Sequence, residues 1–156
     1  MTGIELQLAV QGLLTRYVRC IDDDRLEEWP DLFAEQCLYK VTTAENQAQG
    51  LPAGSIFCNS KGMLKDRVQS LRQANIYEPQ RYRHLLSAIQ VTAHHGDVAE
   101  VESDFLVVRT MENGSTLLFA TGRYLDRIRL GDSPLFEQKI VICDSTRIDT
   151  LLAIPL

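Results

Sequence analysis

The sequence is short of the residues that build metal centres and redox sites. It has three histidines and four cysteines among 156 residues. The cysteines are Cys20, Cys37, Cys58 and Cys143, and none of them forms the Cys-x-x-Cys pair of a zinc knuckle or redox motif. No histidine lies within three positions of a cysteine, so the close-spaced ligands of a Rieske cluster are missing too. We expect reduced, mostly buried thiols.

Basic charge and long apolar runs are also scarce. The net charge is −5 at pH 7, and an acidic domain lacks the basic surface that nucleic acids require. No window approaches the roughly 18 apolar residues of a membrane helix, and the N-terminus lacks the basic start of a signal peptide. We therefore expect a cytoplasmic protein that binds neither nucleic acid nor membrane. Glycine-rich nucleotide loops, Gly-x-Ser-x-Gly and His-Glu-x-x-His are absent as well.

The residues that are present predict one α+β domain over 1–156. Hydrophobic residues make up 45% and charged residues 24%, as in ordinary globular domains. Thr2 and Glu5 have the spacing of a capping box, which predicts a helix start. An apolar stripe at helical spacing follows, made of Leu6, Val10, Leu13, Leu14, Tyr17, Val18 and Ile21. The helix should end at 22–24, where three aspartates would be unfavourable inside its last turn.

The next segments predict a short helix, a strand and a loop. Asp24 and Glu27 are expected to cap the helix, and Pro30 is expected to be the first residue of a new turn. Residues 37–42 are rich in strand-favouring types, which predicts a strand. Residues 45–54 contain two glycines and a proline and are expected to form a loop.

The second half of the chain changes from helix to strand. Asn59 or Ser60 is expected to cap a third helix that ends near Asn75, and Pro79 marks a turn. From residue 81 the pattern predicts four strands in an antiparallel meander, with reversals at 95–97, 113–115 and 131–134. One strand should bury the face formed by Ala99, Val101, Ser103, Phe105 and Val107. The later strands carry apolar residues on both faces, and the apolar tail 151–156 should be docked.

One candidate for acid–base chemistry stands out, because His84 lies inside a predicted strand where burial could tune an imidazole. Asp22, at the end of the first helix, could face the same cavity. Tyr17 or Tyr39 would then hold a carbonyl or hydroxyl oxygen. The alternative interpretation is structural, with His84 hydrogen-bonded and Asp22 acting as a cap or as an ion-pair partner of Arg83.

The other two histidines do not suggest an iron site. His94 and His95 are adjacent at a predicted strand end, so their side chains point in opposite directions. A site of two histidines and one carboxylate is therefore not expected. We interpret both as exposed turn residues.

Arginine is the favoured basic residue, with twelve arginines against four lysines. Many of them fall in predicted strands, where they could be solvated or could bind carboxylates of a partner. Phosphate binding is a weaker alternative because acid is in excess. The candidates for a partner interface or an inner polar network are Arg81, Arg83, His84, Arg123, Tyr124 and Arg127.

Several short segments together resemble a known family. They are residues 29–33 (WPDLF), 37–41 (CLYKV), 63–67 (MLKDR), 81–84 (RYRH), 122–126 (GRYLD) and 143–145 (CDS). In this order and spacing they resemble the small, or β, subunits of aromatic-ring-hydroxylating dioxygenases. The resemblance covers nearly the whole chain and is closest to subunits that serve aromatic carboxylic acids, of the terephthalate and salicylate-hydroxylase kind.

The resemblance implies a fold and a large partner subunit that carries the catalytic groups. The implied fold is a cone like those of nuclear transport factor two and scytalone dehydratase, with N-terminal helices on a strongly curved, mostly antiparallel sheet. The implied partner is a large subunit that carries a Rieske cluster, mononuclear Fe(II) and the substrate pocket, in a three-plus-three hexamer supplied with electrons by a separate reductase. No cofactor is then expected in this chain.

Three functions remain open at this point. The favoured one is a non-catalytic small subunit. The second is a free-standing dehydratase, isomerase or cyclase, since scytalone dehydratase-like members pair an aspartate and a histidine at positions similar to Asp22 and His84. That comparison is incomplete, because a further partner histidine has no counterpart here. The third is a small-ligand binding module of the same fold.

Overall fold

A computed structural model describes residues 1–51, 54–73, 79–147 and 154–156 of the chain. Its framework is a curved, mixed sheet of six strands, with helices packed on the inner face. In chain order the elements are a long helix, a 3₁₀ helix, a strand, a short helix, a short strand, a third α-helix and four long strands. This is the α+β architecture that the sequence predicts.

Helix α1, Gly3–Asp22, begins and ends where expected. The Thr2 hydroxyl accepts from the Glu5 amide at 3.1 Å, and the Glu5 carboxylate accepts from the Thr2 amide at 2.7 Å, so the capping box is confirmed. The predicted stripe faces the core, and all of its members except the half-buried Val18 are buried. Asp24 then turns the chain with a φ of 58°.

The predictions for the second helix were wrong in two respects. It is a 3₁₀ helix, Leu26–Leu32, and Pro30 lies inside it with its side chain buried. The fixed φ of proline suits a 3₁₀ helix, so the ring can stay within the turn and pack. Asp24 and Glu27 do not cap it, because both carboxylates bind Arg72 of the third helix, at 2.9 Å each.

Strand β1, Phe33–Thr43, is longer than the predicted 37–42 and is followed by two short elements that the sequence did not reveal. Helix α2, Ala44–Ala48, occupies part of the predicted loop and is capped by the Thr43 hydroxyl. Strand β2, Ile56–Cys58, pairs antiparallel with β1. Elements of five and three residues are too short to show a hydrophobic period.

Helix α3, Lys61–Gln73, has the predicted cap, since the Ser60 hydroxyl accepts from the Met63 amide at 3.2 Å. Its buried residues Leu64, Val68 and Leu71 have the expected spacing. The predicted end near Asn75 lies outside the described residues.

The predicted meander is confirmed. Its strands are β3 (Gln80–His95), β4 (Val98–Met111), β5 (Thr116–Arg129) and β6 (Leu135–Cys143), each antiparallel to the next. The six strands lie in the order β2-β1-β6-β5-β4-β3, and the sheet is mixed because β1 runs parallel to β6. The predicted inner face of β4 is buried from Ala99 to Val107. Register shifts that place an extra residue in β3, β5 and β6 mark the bulges that increase local bending.

The centre of the cone is filled by aromatic side chains. Trp29, Phe33, Tyr39, Tyr17, Phe136 and Tyr124 make ring contacts with centroid distances of 5.0 to 6.5 Å. The tail docks as predicted where it is described, because Ile154 and Leu156 are buried. Residues 151–153 of the predicted tail lie outside the described part.

Candidate functional site

The end of α1 meets β3 through a short contact between Asp22 and His84. One carboxylate oxygen of Asp22 accepts from the main-chain N–H of His84 at 2.8 Å, and the other lies 2.6 Å from His84 Nδ1. The His84 side chain is fully buried, and that of Asp22 is 9% exposed. The carboxylate therefore fixes the ring and, by accepting from Nδ1, leaves Nε2 as the atom available for other chemistry. The structural interpretation had Asp22 as an ion-pair partner of Arg83, but its carboxylate binds His84 instead.

His84 Nε2 is the chemically open atom of this pair. It is buried and has no hydrogen-bond partner within the described ranges. A pocket of about 340 Å³ between α1 and β3 is lined by Asp22, His84, Leu14, Val18, Leu86 and Ile89, among others. The pocket is also lined by polar residues, among them Thr15 and Arg19. An imidazole held by a carboxylate beside such a mixed pocket has the geometry of a general acid or base. Whether it acts as one stays a prediction.

Tyr17 and Tyr39 both hold a carbonyl oxygen, but it belongs to the chain itself. The main-chain oxygen of Leu156 accepts from the Tyr17 hydroxyl at 2.5 Å and from the Tyr39 hydroxyl at 3.1 Å. Burial raises the pKa of both phenols above their usual range, so they remain protonated donors. Tyr17 and Tyr39 were predicted to bind a substrate oxygen, but Leu156 occupies the position where that oxygen would lie.

A buried ion pair lies beside these tyrosines, and the sequence reading missed it. Lys139 Nζ on β6 is 3.1 Å from each carboxylate oxygen of Asp126 on β5, and neither side chain is exposed. The ammonium also lies 3.6 Å from the Tyr124 ring centroid and 4.4 Å from that of Tyr17. Burial raises the pKa of Asp126 to about 6 and lowers the pKa of Lys139 to about 8. The pair is charged between these values and is shielded from water.

A signal for this pair exists in the sequence. Asp126 lies two positions from both Tyr124 and Ile128 on β5, and Lys139 lies two positions from Val141 on β6. Residues two apart in a strand share a face, so both charged residues point inward with these buried neighbours. The two residues are directly opposite in the strand register. Register cannot be read from one strand alone, so the pairing became visible only once β5 and β6 were aligned.

The six candidate interface or network residues do not form one site. Arg81, Arg83, Arg123 and Arg127 are exposed, whereas His84 and Tyr124 are buried. Arg123 binds Asp104 at 2.9 Å, and Arg127 lies 3.7 Å from Glu100 and 3.5 Å from Glu137. The arginines therefore belong to the outer surface of the sheet and the two other residues to the interior. Their role in binding a partner stays a prediction.

The cysteines and remaining histidines have simple surroundings. All four thiols are free and buried, as expected, and burial raises the pKa of Cys20 to about 12 and of Cys143 to about 11. His94 and His95 are exposed at the end of β3. Within residues 1–51, 54–73, 79–147 and 154–156, no three His, Cys, Asp or Glu side chains group as metal ligands, and no helix is long and apolar enough to span a membrane.

Comparison with known proteins decides the family. Residues 16–150 match the family described as ring hydroxylating beta subunit. The chain belongs to this family. It is 41% identical over 153 residues to the beta 1 subunit of the terminal oxygenase component of terephthalate 1,2-dioxygenase from Comamonas sp., covering 97% of this chain and 98% of that one. It is 42% identical over 145 residues to the anthranilate 1,2-dioxygenase small subunit from Burkholderia cepacia, covering 92% and 90%.

Solved structures agree with the ring-hydroxylating β-subunit assignment. A β subunit assigned to an aromatic-ring-hydroxylating dioxygenase of Novosphingobium aromaticivorans superposes with a TM-score of 0.90 at 41% identity, covering 97% of each chain. A protein assigned as a scytalone dehydratase from the same organism superposes with a TM-score of 0.68 at 18% identity, covering 91% of this chain and 85% of that one. The second likeness shows the fold alone, and it confirms the predicted cone. The chain is thus a small subunit of an aromatic-ring-hydroxylating dioxygenase and a component of an oxidoreductase.

Proposed function

We propose that this chain is the non-catalytic, structural small subunit of a three-plus-three oxygenase hexamer in the cytoplasm. Its large partner would carry the Rieske cluster, the mononuclear Fe(II) and the substrate pocket, and a separate reductase would supply electrons. The substrate would be an aromatic carboxylic acid, such as terephthalate. The observation that carries the proposal is likeness over nearly the full length of a terminal oxygenase β subunit, 97% of one chain against 98% of the other.

The filled interior supports a non-catalytic role. The hydroxyls with which Tyr17 and Tyr39 would bind a substrate oxygen already donate to the main-chain oxygen of Leu156. Aromatic rings and the ion pair of Lys139 occupy the space beside it. An aromatic acid would have to displace these groups, at the cost of their packing and hydrogen bonds. The catalytic pocket is therefore assigned to the partner.

The outer face of the sheet supports assembly. We define the outer sheet face as the exposed and half-buried apolar residues of β3 to β6 that alternate with the core, namely Leu85, Leu106, Val108, Leu118, Leu125, Ile140 and Ile142. Leu85 and Leu118 are 51% and 69% exposed. The ion pairs of Arg123 and Arg127 lie among these apolar residues, since Leu125 falls between the two arginines on β5. Apolar side chains mixed with arginine are typical of subunit interfaces.

A charge placed on the outer sheet face tests this proposal. We expect Leu118→Glu to weaken assembly when it is co-expressed with the large subunit, because burying an unpaired carboxylate in an interface is unfavourable. Leu8→Glu on α1 is the matched control, since Leu8 is similarly exposed, at 62%. The readout is the yield of complex captured through a tag on the large subunit. Equal yields for the two variants would contradict an interface on the outer sheet face.

A second candidate function follows from the contact between Asp22 and His84. The specific observation that favours acid–base catalysis by this chain is a buried Nε2 beside a 340 Å³ pocket, with no hydrogen-bond partner among the described residues. The test is a screen of the isolated chain for dehydration or isomerisation of hydroxylated aromatic compounds. An activity whose rate follows one histidine-like ionisation and is lost in His84→Ala would support it. Unchanged activity in that variant would exclude it.

A further inference from the structure

The terminal residues of the described chain are held in the way that a binding site holds a ligand. The Leu156 oxygen receives two hydrogen bonds from tyrosine hydroxyls, and the Leu156 N–H donates to the Tyr39 hydroxyl at 3.2 Å. Tyr39 thus acts as donor and acceptor toward the same residue. The Leu156 side chain is 1% exposed. Both main-chain polar groups and the apolar side chain of one residue are therefore matched by the interior.

The two tyrosines are fixed by contacts that do not involve the tail. Tyr17 comes from α1 and packs edge-on against Phe136, with centroids 5.6 Å apart. Tyr39 comes from β1 and packs edge-on against Trp29, at 5.0 Å. These rings are placed by the helix, the strands and their aromatic neighbours. Preorganised donors of this kind favour binding, because little rotamer freedom is lost when the ligand arrives.

The hydrogen bonds to Leu156 are specific to these two tyrosines. Tyr124 is equally buried and contacts the same cluster, yet its hydroxyl has no hydrogen-bond partner among the residues that the structure describes. Burial next to Tyr17 is therefore not enough to obtain a partner. Ile154, two residues earlier, lines a pocket at the end of α1 together with Ile21 and Tyr82.

We propose that the space between Tyr17 and Tyr39 is a peptide-binding site whose ligand is the chain's own Ile154-Pro155-Leu156. Its ligand class is a short apolar peptide that presents a leucine with a free N–H and a main-chain oxygen. The site acts in place of a substrate pocket and keeps the cone closed to aromatic acids. Its hydrogen bonds are made by residues of this chain, so the proposal can be tested on the chain alone.

The test removes residues 154–156 and restores them in trans. The truncated chain should have a lower Tm, and millimolar N-acetyl-Ile-Pro-Leu should raise it again by mass action. N-acetyl-Ile-Pro-Ser is the control peptide, because it keeps the main-chain groups but lacks the apolar side chain. In the truncated chain, Tyr39→Phe should abolish most of the rise, whereas Tyr124→Phe should leave it unchanged. A truncated chain with unchanged Tm and no response to the peptide would overturn the proposal.

A second measurement decides the matter if the truncated chain does not fold. In the full chain, Tyr39→Phe removes both the acceptor of the Leu156 N–H and one donor to its oxygen. We expect hydrogen exchange at the Leu156 amide to become about tenfold faster, the loss typical of one hydrogen bond. Tyr124→Phe should leave the exchange rate within twofold of that of the unaltered chain. Equal exchange rates in the two variants would overturn the proposal.

Discussion

Lys139 Nζ lies 3.1 Å from both carboxylate oxygens of Asp126, and both side chains are fully buried. The two residues face each other across β5 and β6, and the ammonium lies over the Tyr124 ring. A buried pair of this kind is costly to break but contributes little net stability, because both charges lose their hydration. This distinction leads to the first two predictions.

Removing one member of the pair should destabilise the fold far more than removing both. Lys139→Met leaves Asp126 buried without its counter-ion, and we expect a loss of about 3–5 kcal/mol in the free energy of unfolding. The double variant Lys139→Met with Asp126→Leu should be within about 1 kcal/mol of the unaltered chain, or more stable. Urea unfolding at pH 7 measures this. Additive losses in the double variant would contradict it.

The same pair should make stability depend on pH in a defined direction. Burial raises the pKa of Asp126 from 3.8 to about 6, so its contribution is full below pH 3.8 and is lost as pH rises through 6. Burial lowers the pKa of Lys139 from 10.5 to about 8, so its contribution is full above pH 10.5 and is lost as pH falls through 8.

Relative to the double variant, the unaltered chain should therefore be least stable between pH 6 and 8. The measurement is the difference in unfolding free energy between the two proteins across this range and on both sides of it. A difference that does not vary with pH would show that neither group changes its pKa on folding.

Two glycines should respond to alanine in opposite directions. A Cβ at Gly122 on β5 would collide with the main-chain oxygen of Ile142 on the neighbouring strand, so Gly122→Ala should cost at least about 2 kcal/mol. Gly12 lies inside α1, where a Cβ meets only a side-chain atom of Arg16 at 3.7 Å. Gly12→Ala should stabilise the chain by about 0.5–1 kcal/mol. Thermal unfolding of both variants measures this. A change in Tm of the same sign for the two variants would contradict the prediction.

Asp22, which joins α1 to β3, should contribute more to stability than the adjacent Asp23. Asp22→Ala leaves the main-chain N–H and the Nδ1 of His84 without their acceptor, and each buried group costs about 1–3 kcal/mol. Asp23→Ala is the control, because its carboxylate is half-exposed and lies 3.6 Å from Arg25. We expect it to change stability by less than about 0.5 kcal/mol.

A structural role for Asp22 also makes a kinetic prediction. In the assembled oxygenase, Asp22→Ala should leave kcat for ring hydroxylation unchanged at temperatures where the variant is folded. A loss of kcat without a loss of stability would instead favour chemistry at this pair.

The elements that the sequence predicted best are those with a long, regular period. The stripe from Leu6 to Ile21 and the capping box at Thr2 define α1, and the turn residues after His95 and around Gly114 define the meander. The short elements were not predicted, because β2 has three residues and α2 has five, too few to show a hydrophobic period. Pro30 was misplaced because the rule against proline in an α-helix does not apply with the same force in a 3₁₀ helix.

The interior could be predicted only in part, since its contacts join residues far apart in the chain. The sequence suggested that Asp22 could face His84, because one ends a helix and the other lies on the first long strand. It could not show that Leu156 reaches Tyr17, 139 residues earlier. It also could not align Asp126 with Lys139, because that pairing depends on the register between β5 and β6.

The most direct measurement is the mass of the complex formed when this chain is co-expressed with the large subunit that it serves. Light scattering on material captured through the large subunit should give equimolar chains and a mass equal to three copies of each. Ring hydroxylation of an aromatic acid should require the large subunit's metal centres and no titratable group of this chain. A 17.6 kDa chain that elutes alone beside its partner would contradict the account.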